Sequence, residues 1–392
     1  MTHAKSEQIN CTECDLSLLL PNLGEREKAL CPRCGYLLTV NHPESIERIL
    51  AFAFTALIFL ILSLSFDFVS ISYQGQTYTI TLLDTYFRLT EQNYFIIALV
   101  LMLTVIVLPL VVISALFYLL FHIQAQRYPQ KGLLLAKCLS ALLPWSMAEI
   151  FLIGVLVSLI KISTMTHVIL GLSFYAYVLF AISYIAAIQY IDKNHLLLIL
   201  RQLKLKVNLH LHNNSIVSNA IEHKNKQDNT SIQKTWALII TSLFLYFPAN
   251  LLPIMTTRSL GKEELNTILG GVIVLWRDGS YPVAIIIFIA SIVVPIIKFI
   301  ILAWLNYSVQ QQETSFQLQR AQLYRITEFV GRWSMIDIFA VAILASLIQL
   351  GTAMTIHPGP AAIAFCGVVI LTMLAANTFD STLIWKKTLS HE

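Results

Sequence analysis

Four cysteines near the N-terminus have the spacing of a metal site. Cys11 and Cys14 form one C-x-x-C pair, and Cys31 and Cys34 form a second pair further along the chain. Pairs at this spacing are typical of zinc ribbons, and rubredoxin-like iron is the alternative. A four-cysteine site is coordinatively closed, so it stabilises a small fold and leaves no open position for catalysis. We therefore predict a structural zinc ribbon in residues 1–45.

A second set of candidate residues lies inside apolar stretches near the C-terminus. Lys298 and Asp337 are charged, and charges near mid-membrane are costly and usually functional. If their helices meet, these two side chains could pair and change protonation together, with hydroxyls completing the hydrogen bonds. Alternatively, Lys298 extends to the membrane interface and Asp337 caps the start of its helix. The complete candidate set is Ser291, Lys298, Ser334, Asp337 and Thr372.

The composition indicates a membrane protein. Of 392 residues, 57% are hydrophobic and 12% are charged, whereas a soluble domain carries about 25% charged residues. The net charge of +4 is too small to indicate nucleic-acid binding. No P-loop is visible, and no nucleophile lies at usable spacing from a general acid or base, so we do not expect an enzyme. No signal peptide is expected before the first apolar stretch.

Eight stretches are long and apolar enough to cross a bilayer, which takes about 20 residues. They are Ile49–Ile71, Tyr94–Phe121, Leu139–Ile160, Val168–Ile191, Trp236–Met255, Tyr281–Trp304, Ser334–Leu350 and Ala361–Thr378. Two shorter apolar segments, Thr79–Thr90 and Thr267–Trp276, are interpreted as interfacial or re-entrant pieces. The predicted fold is therefore an all-α polytopic membrane protein.

Positive charges predict the orientation of these spans. Most Lys and Arg residues lie in the N-terminal segment, alternate connections and the C-terminus. The other connections hold only five, namely Arg88, Lys161, Arg258, Lys262 and Arg277. Because cytoplasmic loops are enriched in positive charge, both termini and the long central connection are expected to be cytoplasmic. Arg325 and Glu328 are interpreted as the solvated face of a cytoplasmic amphipathic helix.

The two halves of the chain resemble each other. The string Trp145–Phe151 matches Trp333–Phe339, and Thr79–Pro109 has the same length as Leu265–Pro295. Each half has an even number of spans, so the halves are predicted to be tandem parallel repeats of about four helices. Duplicated membrane halves often frame a substrate path, although duplication for structural reasons alone is the alternative.

The candidate polar set is complete only in the second half. Val105 and Val112 stand where the second half has Ser291 and Lys298, while Glu149 matches Asp337. This asymmetry is hard to explain by folding chemistry that both halves share. The second half is therefore the predicted site of transport chemistry.

The predicted boundaries are 46–192 for the first repeat, 193–234 for a cytoplasmic linker and 235–392 for the second repeat. The linker has no cysteine, although it holds four histidines at positions 195, 210, 212 and 223. Leucines alternate with polar residues over 203–211, which is a strand signal. We interpret the segment as a metal-free remnant of a second ribbon followed by a flexible linker.

These features together resemble the paraquat-inducible protein A family. The resemblance rests on the cysteine ribbon, the doubled unit of four spans and two long strings. The strings are Phe247-Pro248-Ala249-Asn250-Leu251-Leu252-Pro253-Ile254-Met255 and Val330-Gly331-Arg332-Trp333-Ser334-Met335-Ile336-Asp337. The family usually has a second four-cysteine ribbon between the halves. The chain departs from the family there, which argues against a second zinc ion.

The resemblance implies a subunit of the bacterial inner membrane that works with an MCE-domain protein, which forms a lipid tunnel across the periplasm. It also implies phospholipid transport that supports envelope integrity. In related proteins a polar network of the C-terminal half is implicated in transport. By motif that network falls on the five residues from Ser291 to Thr372 given above. The alternative function is a non-transporting adaptor that anchors the MCE partner.

Overall fold

The N-terminal segment folds into two small antiparallel hairpins. In the computed structural model of the chain, the described residues are 8–19, 24, 27–40, 45–73, 76–125, 127, 129, 131–163, 167–191, 196, 200, 220–259, 262–277, 279–311, 316–347 and 354–385. Strand β1 (Gln8–Asn10) pairs with β2 (Ser17–Leu19), and β3 (Lys28–Leu30) pairs with β4 (Leu37–Val40). Each hairpin carries one C-x-x-C pair in its turn. We call residues 8–40 the ribbon.

The first half of the chain, residues 45–191, begins directly after the ribbon. Its elements, in order, are α1 (Ser45–Ser65), β5 (Val69–Tyr73), β6 (Gln76–Ile80), α2 (Leu82–Glu91), α3 (Phe95–Met102), α4 (Leu108–Gln124), α5 (Gly132–Leu142), α6 (Ala148–Ser163), β7 (His167–Leu170) and α7 (Leu172–Gln189). A π-helical turn, Leu103–Val107, joins α3 to α4, and a 3₁₀ turn, Leu143–Trp145, follows α5.

The second half, residues 220–385, has the same order of elements. They are α8 (Ala220–Leu251), β8 (Met255–Ser259), β9 (Lys262–Asn266), α9 (Ile268–Arg277), α10 (Tyr281–Phe288), α11 (Val294–Gln310), α12 (Gln317–Gly331), α13 (Ile336–Leu347), β10 (Met354–Pro358) and α14 (Pro360–Thr378). The π-helical turn recurs as Ile289–Val293 and the 3₁₀ turn as Arg332–Met335. A last 3₁₀ turn, Ser381–Trp385, follows α14.

Within the described ranges, seven helical segments are long and apolar enough to cross a membrane. They are Ile46–Ser65, Phe95–Gln124, Gly132–Ile160, Leu172–Gln189, Tyr281–Gln310, Gln317–Leu347 and Pro360–Thr378. The eighth expected span coincides with α8, whose first part is polar and whose apolar part ends at Leu251. Since α8 begins at Ala220, it also enters the region expected to be a flexible linker. Most of that linker, including His195, His210 and His212, lies outside the described residues.

The chain is mostly helical, but the predicted all-α class is too narrow. Two three-stranded antiparallel sheets cover one end of the helices, with strand orders β6-β5-β7 and β10-β8-β9. The first expected span was drawn to Ile71, but helix α1 ends at Ser65 and Ile71 lies in β5. In Val69–Tyr73 apolar residues alternate with serine, which favours a half-buried strand over a helix. We call this end of the molecule the sheet end, and the opposite end, where α1 follows the ribbon, the ribbon end.

Helices α6 and α13 form the main contact between the two halves, and α2 and α3 also contact α13. A Cβ added to Gly154 on α6 would lie 2.9 Å from the Cβ of Phe339 and 3.2 Å from the carbonyl oxygen of Ile336. The Ser158 hydroxyl also lies 3.1 Å from the carbonyl oxygen of Ala340, in hydrogen-bond range. The close approach of two backbones thus requires a residue without a side chain at position 154.

Candidate functional site

The four ribbon cysteines converge on one point. Their Sγ atoms all lie within 4.8 Å of one another, and all four residues are buried. The sulfurs of Cys11 and Cys34 are 3.6 Å apart, as are those of Cys14 and Cys31. A tetrahedral ion with metal–sulfur bonds of about 2.3 Å would place its sulfurs about 3.8 Å apart. The four thiols therefore fit a closed, tetrahedral metal site.

Both C-x-x-C pairs are held by the same kind of turn. The Asp15 amide donates to the Cys11 carbonyl, and the Gly35 amide donates to the Cys31 carbonyl. Asp15 and Gly35 both have left-handed backbones, with φ of 57° and 67°, and aspartate tolerates this region better than most residues do. Burial opposes ionisation of Cys31, but backbone amides of its own turn bond to the sulfur and lower the pKa of this thiol to about 7. At Cys31 the turn thus favours the thiolate, which is the form that binds metal. At Cys34, in the same turn, burial raises the pKa of the thiol to about 11.

The ribbon packs against the second half of the chain. Arg33 donates to the carbonyl of Trp385 at 3.1 Å, and its guanidinium lies 4.9 Å from the centre of the indole ring. From α12, Arg325 donates to the Cys34 carbonyl at 2.9 Å and lies over the ring of Tyr36. The interpretation of Arg325 as part of a solvated face is therefore wrong. This cation bonds directly to a metal-site turn.

Asp337 and Ser291 form the first part of the intramembrane site. Asp337 lies in the first turn of α13 and is buried, with 5% of its surface exposed. Ser291 is buried in the π-helical turn Ile289–Val293, and its hydroxyl contacts the Asp337 carboxylate. The same hydroxyl lies 2.6 Å from the Ile287 carbonyl oxygen. One hydroxyl proton thus lies between two acceptors.

Lys298 and Thr372 form the second part. Lys298 is 2% exposed, and its ammonium donates to the Thr372 hydroxyl at 2.7 Å. Thr372 in turn lies 3.0 Å from the carbonyl oxygen of Val369. A Cβ added to Gly331 would lie 3.2 Å from Cε and 3.3 Å from Nζ of Lys298. The glycine at position 331 therefore leaves the space that the lysine head occupies.

The structure brings four of the five candidate residues into two separate contacts, without a direct ion pair. Among the described side chains, Asp337 contacts Ser291 and Lys298 contacts Thr372, and no Lys298–Asp337 ion pair is formed. Burial of Lys298 also contradicts the alternative in which its head extends to the interface. The hydroxyl of Ser334 is buried without a hydrogen-bond partner.

The two charged residues line different cavities. Asp337 lines a small apolar cavity of about 60 Å³ at the sheet end, together with residues such as Met255, Ile268 and Leu344. Lys298 lines a much smaller cavity of about 10 Å³ on the ribbon side, with Thr327 among the other lining residues. The polar site therefore lies between one cavity toward the sheet end and another toward the ribbon end.

Comparison with known proteins identifies the family. The model of the paraquat-inducible protein A family matches residues 46–198 and again residues 232–388. The chain belongs to the paraquat-inducible protein A family. It is 38% identical to the intermembrane transport protein PqiA of Escherichia coli, over 98% of this chain and 97% of that protein. It is 30% identical to the lipophilic envelope-spanning tunnel protein A of the same organism, over 96% and 90%.

A third relative is the probable intermembrane transport protein of Haemophilus influenzae, which is 28% identical over 96% of this chain and 95% of that protein. No solved structure matches the chain. The seven apolar helices and membership of the paraquat-inducible protein A family make this a multi-pass membrane protein.

Because the paraquat-inducible protein A model matches both halves, corresponding positions can be compared. Tyr184 lies as far after Gly171 as Thr372 lies after Gly359, and Ser146 corresponds to Ser334. In the first half the Tyr184 hydroxyl donates to Ser146 at 2.7 Å. Sequence reasoning missed this pair, although the equal spacing from the two glycines could have revealed it.

Proposed function

We propose that the protein is an inner-membrane lipid transport subunit, which passes phospholipid to or from an MCE-domain partner that spans the periplasm. The names of its relatives, an intermembrane transport protein and a lipophilic envelope-spanning tunnel protein, support this role. The transport would support envelope integrity. The proposal also assigns the site to the second half, where the intramembrane charges lie.

One observation carries this proposal. Asp337 is the one charged residue among those that line the apolar cavity at the sheet end. Apolar walls with a few polar groups are typical of sites that hold lipid-like ligands. A carboxylate buried in the membrane is costly and is retained where function requires it. The cavity is proposed to hold an acyl chain, with Asp337 at its inner wall.

The hydrogen bonds around Asp337 suit proton coupling. When Asp337 is ionised, the Ser291 hydroxyl donates to it. When Asp337 is protonated, the carboxyl can donate to Ser291, and the serine hydroxyl is free to donate to the Ile287 carbonyl. Both arrangements use the same positions of the heavy atoms. A proton can therefore be accepted and released here without rebuilding the site.

Lys298 is proposed to exchange protons with the ribbon side of the membrane, while Asp337 exchanges protons with the sheet-end side. Its ammonium donates to Thr372 and faces the ribbon-side cavity, whereas Asp337 faces the sheet-end cavity. Two titratable groups that face opposite cavities can exchange protons with opposite sides of the membrane. Ser334, whose buried hydroxyl lacks a partner, is placed to complete the network when the helices shift.

The remaining features complete the proposed architecture. The ribbon, within residues 1–45, would bind one structural zinc ion on the cytoplasmic side, with both termini cytoplasmic. Residues 46–192 and 235–392 would be tandem parallel repeats, as their shared order of elements supports. The sheet end would then face the periplasm and meet the partner tunnel. The linker 193–234, without cysteines, argues against a second zinc ion.

A second candidate function is a non-transporting adaptor. In that case the protein would only anchor the MCE partner, and the ribbon would act as its cytoplasmic interaction module. The contacts of Arg33 and Arg325 occupy part of the ribbon surface with this chain itself. This observation favours a ribbon that stabilises the transporter over one that recruits another protein.

Transfer of phospholipid between liposomes, with the protein and its tunnel partner reconstituted together, tests the proposal. Asp337→Asn and Lys298→Met keep side-chain size and remove the charge. We expect both variants to lose lipid transfer and still co-purify with the partner. Glu263→Gln, an exposed carboxylate paired with Arg258 on the sheet end, is the matched control and should transfer normally.

Two results would count against the transport site. Normal transfer by both charge variants would show that the buried pair is not needed for transport. Partner assembly without any lipid transfer by the wild-type protein would favour the adaptor instead.

A further inference from the structure

A third cavity, between the two halves at the ribbon end, takes no part in the transport site described above. It has a volume of about 260 Å³, the largest of these three cavities. The 3₁₀ turn after α5 and the start of α6 form one wall, and the last turns of α7 form another. The end of α12 and the 3₁₀ turn that follows it form the third. Its polar lining includes Ser146, Glu149, Glu328 and Arg332.

The charges in this cavity are arranged in a way that leaves room for a ligand. The Arg332 guanidinium and the Glu149 carboxylate are 3.9 Å apart, which is too long for a hydrogen bond between them. Their side chains are 29% and 37% exposed, so both remain open to the cavity. Glu328 adds a second carboxylate to the same lining. The cavity thus offers one cation and two anions.

The depth of the cavity matches the level of lipid headgroups. Helix α7 has 18 residues, which span about 27 Å from the sheet end to Gln189. The hydrocarbon core of a bilayer is about 30 Å thick. Ile188 and Gln189 in the lining therefore lie near the boundary between acyl chains and headgroups on the ribbon side.

An apolar stripe leads from the cavity into the membrane. Ile185 lines the cavity, and Ile182 and Leu179 precede it on α7 at spacings of three residues each. Residues three or four apart share a helix face. The side chains of Ile182 and Leu179 are 58% and 45% exposed. Acyl chains of a lipid seated in the cavity would lie along this face.

We propose that the cavity binds the headgroup of a zwitterionic phospholipid, of the phosphatidylethanolamine class, from the ribbon-side leaflet. Arg332 binds the phosphate, and Glu149 and Glu328 bind the ammonium group. An anionic headgroup without an amine would place its negative charge beside two carboxylates, so the cavity selects against it. The inference rests on the proposed lipid transport function, to which it adds an entry site and a substrate class.

The cavity adjoins the one that contains Lys298, because Pro144, Glu328 and Arg332 line both. The proposed headgroup site and the cavity of Lys298 are therefore direct neighbours, and both border Arg332.

Lipid binding to the full-length protein in detergent, followed by native mass spectrometry, tests this assignment. The probes are phosphatidylethanolamine and phosphatidylglycerol with identical acyl chains. We expect the wild-type protein to prefer phosphatidylethanolamine. Arg332→Gln should weaken binding of both lipids about tenfold, because a hydrogen-bonded charge is lost. Glu149→Gln should weaken only phosphatidylethanolamine and so remove the preference.

Matched controls separate a headgroup site from loss of fold. Arg258→Gln and Glu263→Gln change the exposed ion pair at the sheet end and should bind lipid as the wild type does. Arg332→Lys keeps the charge and should retain most of the affinity. If Arg332→Gln does not fold, Arg332→Lys and Glu149→Gln still give the comparison.

Three results would overturn the inference. They are equal binding of both lipids by the wild type, unchanged binding by Arg332→Gln and Glu149→Gln, and full competition by phosphoethanolamine at concentrations equal to those of the lipid. If Arg332→Gln and Glu149→Gln bind lipid as the wild type does, while Asp337→Asn still abolishes transfer, the headgroup site is wrong and the proposed function stands. If the expected binding pattern appears while Asp337→Asn transfers normally, the headgroup site stands and the transport site fails.

Discussion

At corresponding positions, Val105 and Val112 fill the space in the first half that Ser291 and Lys298 occupy in the second. Both valines are fully buried. Where the second half joins Lys298 to Thr372, the first half joins the hydroxyl of Tyr184 to Ser146. One framework thus holds a neutral hydrogen bond in one half and a buried cation in the other.

The difference shows which polar contacts the fold itself needs. A neutral buried hydrogen bond stabilises a protein by about 0.5–1.5 kcal/mol. A buried charge often gives no net stability, because desolvation offsets its interactions. The first half demonstrates that the framework packs without the lysine. The shared framework therefore does not require the buried lysine of the second half.

The largest expected effect concerns the ribbon. It precedes the first half in sequence, but it packs against the second half. Removing the metal with a chelator should unfold it, because structural zinc contributes about 10–16 kcal/mol to such small domains. The number of alkylated cysteines per chain, measured by mass spectrometry, should then increase by four. Cys138, which is exposed, should react with or without chelator, and buried Cys366 should react in neither case.

Equal reactivity of the four ribbon thiols before and after chelation would contradict a metal site. It would also mean that the fold of the ribbon is stabilised by something other than a metal ion.

The next effect should come from Thr372→Val, which changes the polar partner of Lys298 and leaves the rest of the second half intact. The substitution removes the hydroxyl that accepts a hydrogen bond from the Lys298 ammonium and leaves the cation without that partner. Lipid transfer should fall at least tenfold, because hydrogen bonds to charged groups contribute about 1.5–3 kcal/mol. Tyr184→Phe is the matched variant of the first half and should transfer lipid normally. Similar losses in both variants would mean that the halves do not differ in function.

Two glycine substitutions should separate function from packing. In Gly331→Ala the new Cβ meets only the flexible end of Lys298, so we expect a few-fold loss of transfer and little change in stability. In Gly154→Ala it meets Phe339 and backbone of α13, so we expect destabilisation of about 1–3 kcal/mol from overpacking. Thermal unfolding and transfer, measured on both variants, check this contrast. Destabilisation by Gly331→Ala as large as that by Gly154→Ala would refute it.

The smallest effect should be that of Tyr184→Phe on stability. The variant loses one neutral hydrogen bond to Ser146, which should lower the free energy of unfolding by about 1 kcal/mol. The midpoint of thermal unfolding in detergent measures it. A loss above about 3 kcal/mol would show that the first half depends on this polar pair as strongly as on a charge.

Hydropathy and cysteine spacing predicted much of this architecture. Seven of the eight expected spans coincide with apolar helices, and the four cysteines meet as their spacing indicated. Both signals are local, since each depends on residues close together in sequence. Intramembrane polarity placed Ser291 and Asp337 in one candidate set, because polar groups in a bilayer are costly without partners. It did not predict that these two residues would contact each other.

Contacts between distant segments could not be predicted in this way. The docking of the ribbon on α12 and Trp385 depends on the relative placement of segments, which no periodicity encodes. The separation of Lys298 and Asp337 into two contacts depends on side-chain reach across helices. The sheets were not predicted because the apolar character of Val69–Tyr73 was given more weight than its alternation of apolar residues with serine.

The contact between Arg33 and Trp385 joins residues separated by 352 positions. During synthesis the ribbon leaves the ribosome first, and the surface that receives it is made last. Closing so long a loop comes late in folding, after local contacts have formed. The contact of Arg33 with Trp385 can therefore form only after α14 has been made, so complete docking of the ribbon is a late step in folding.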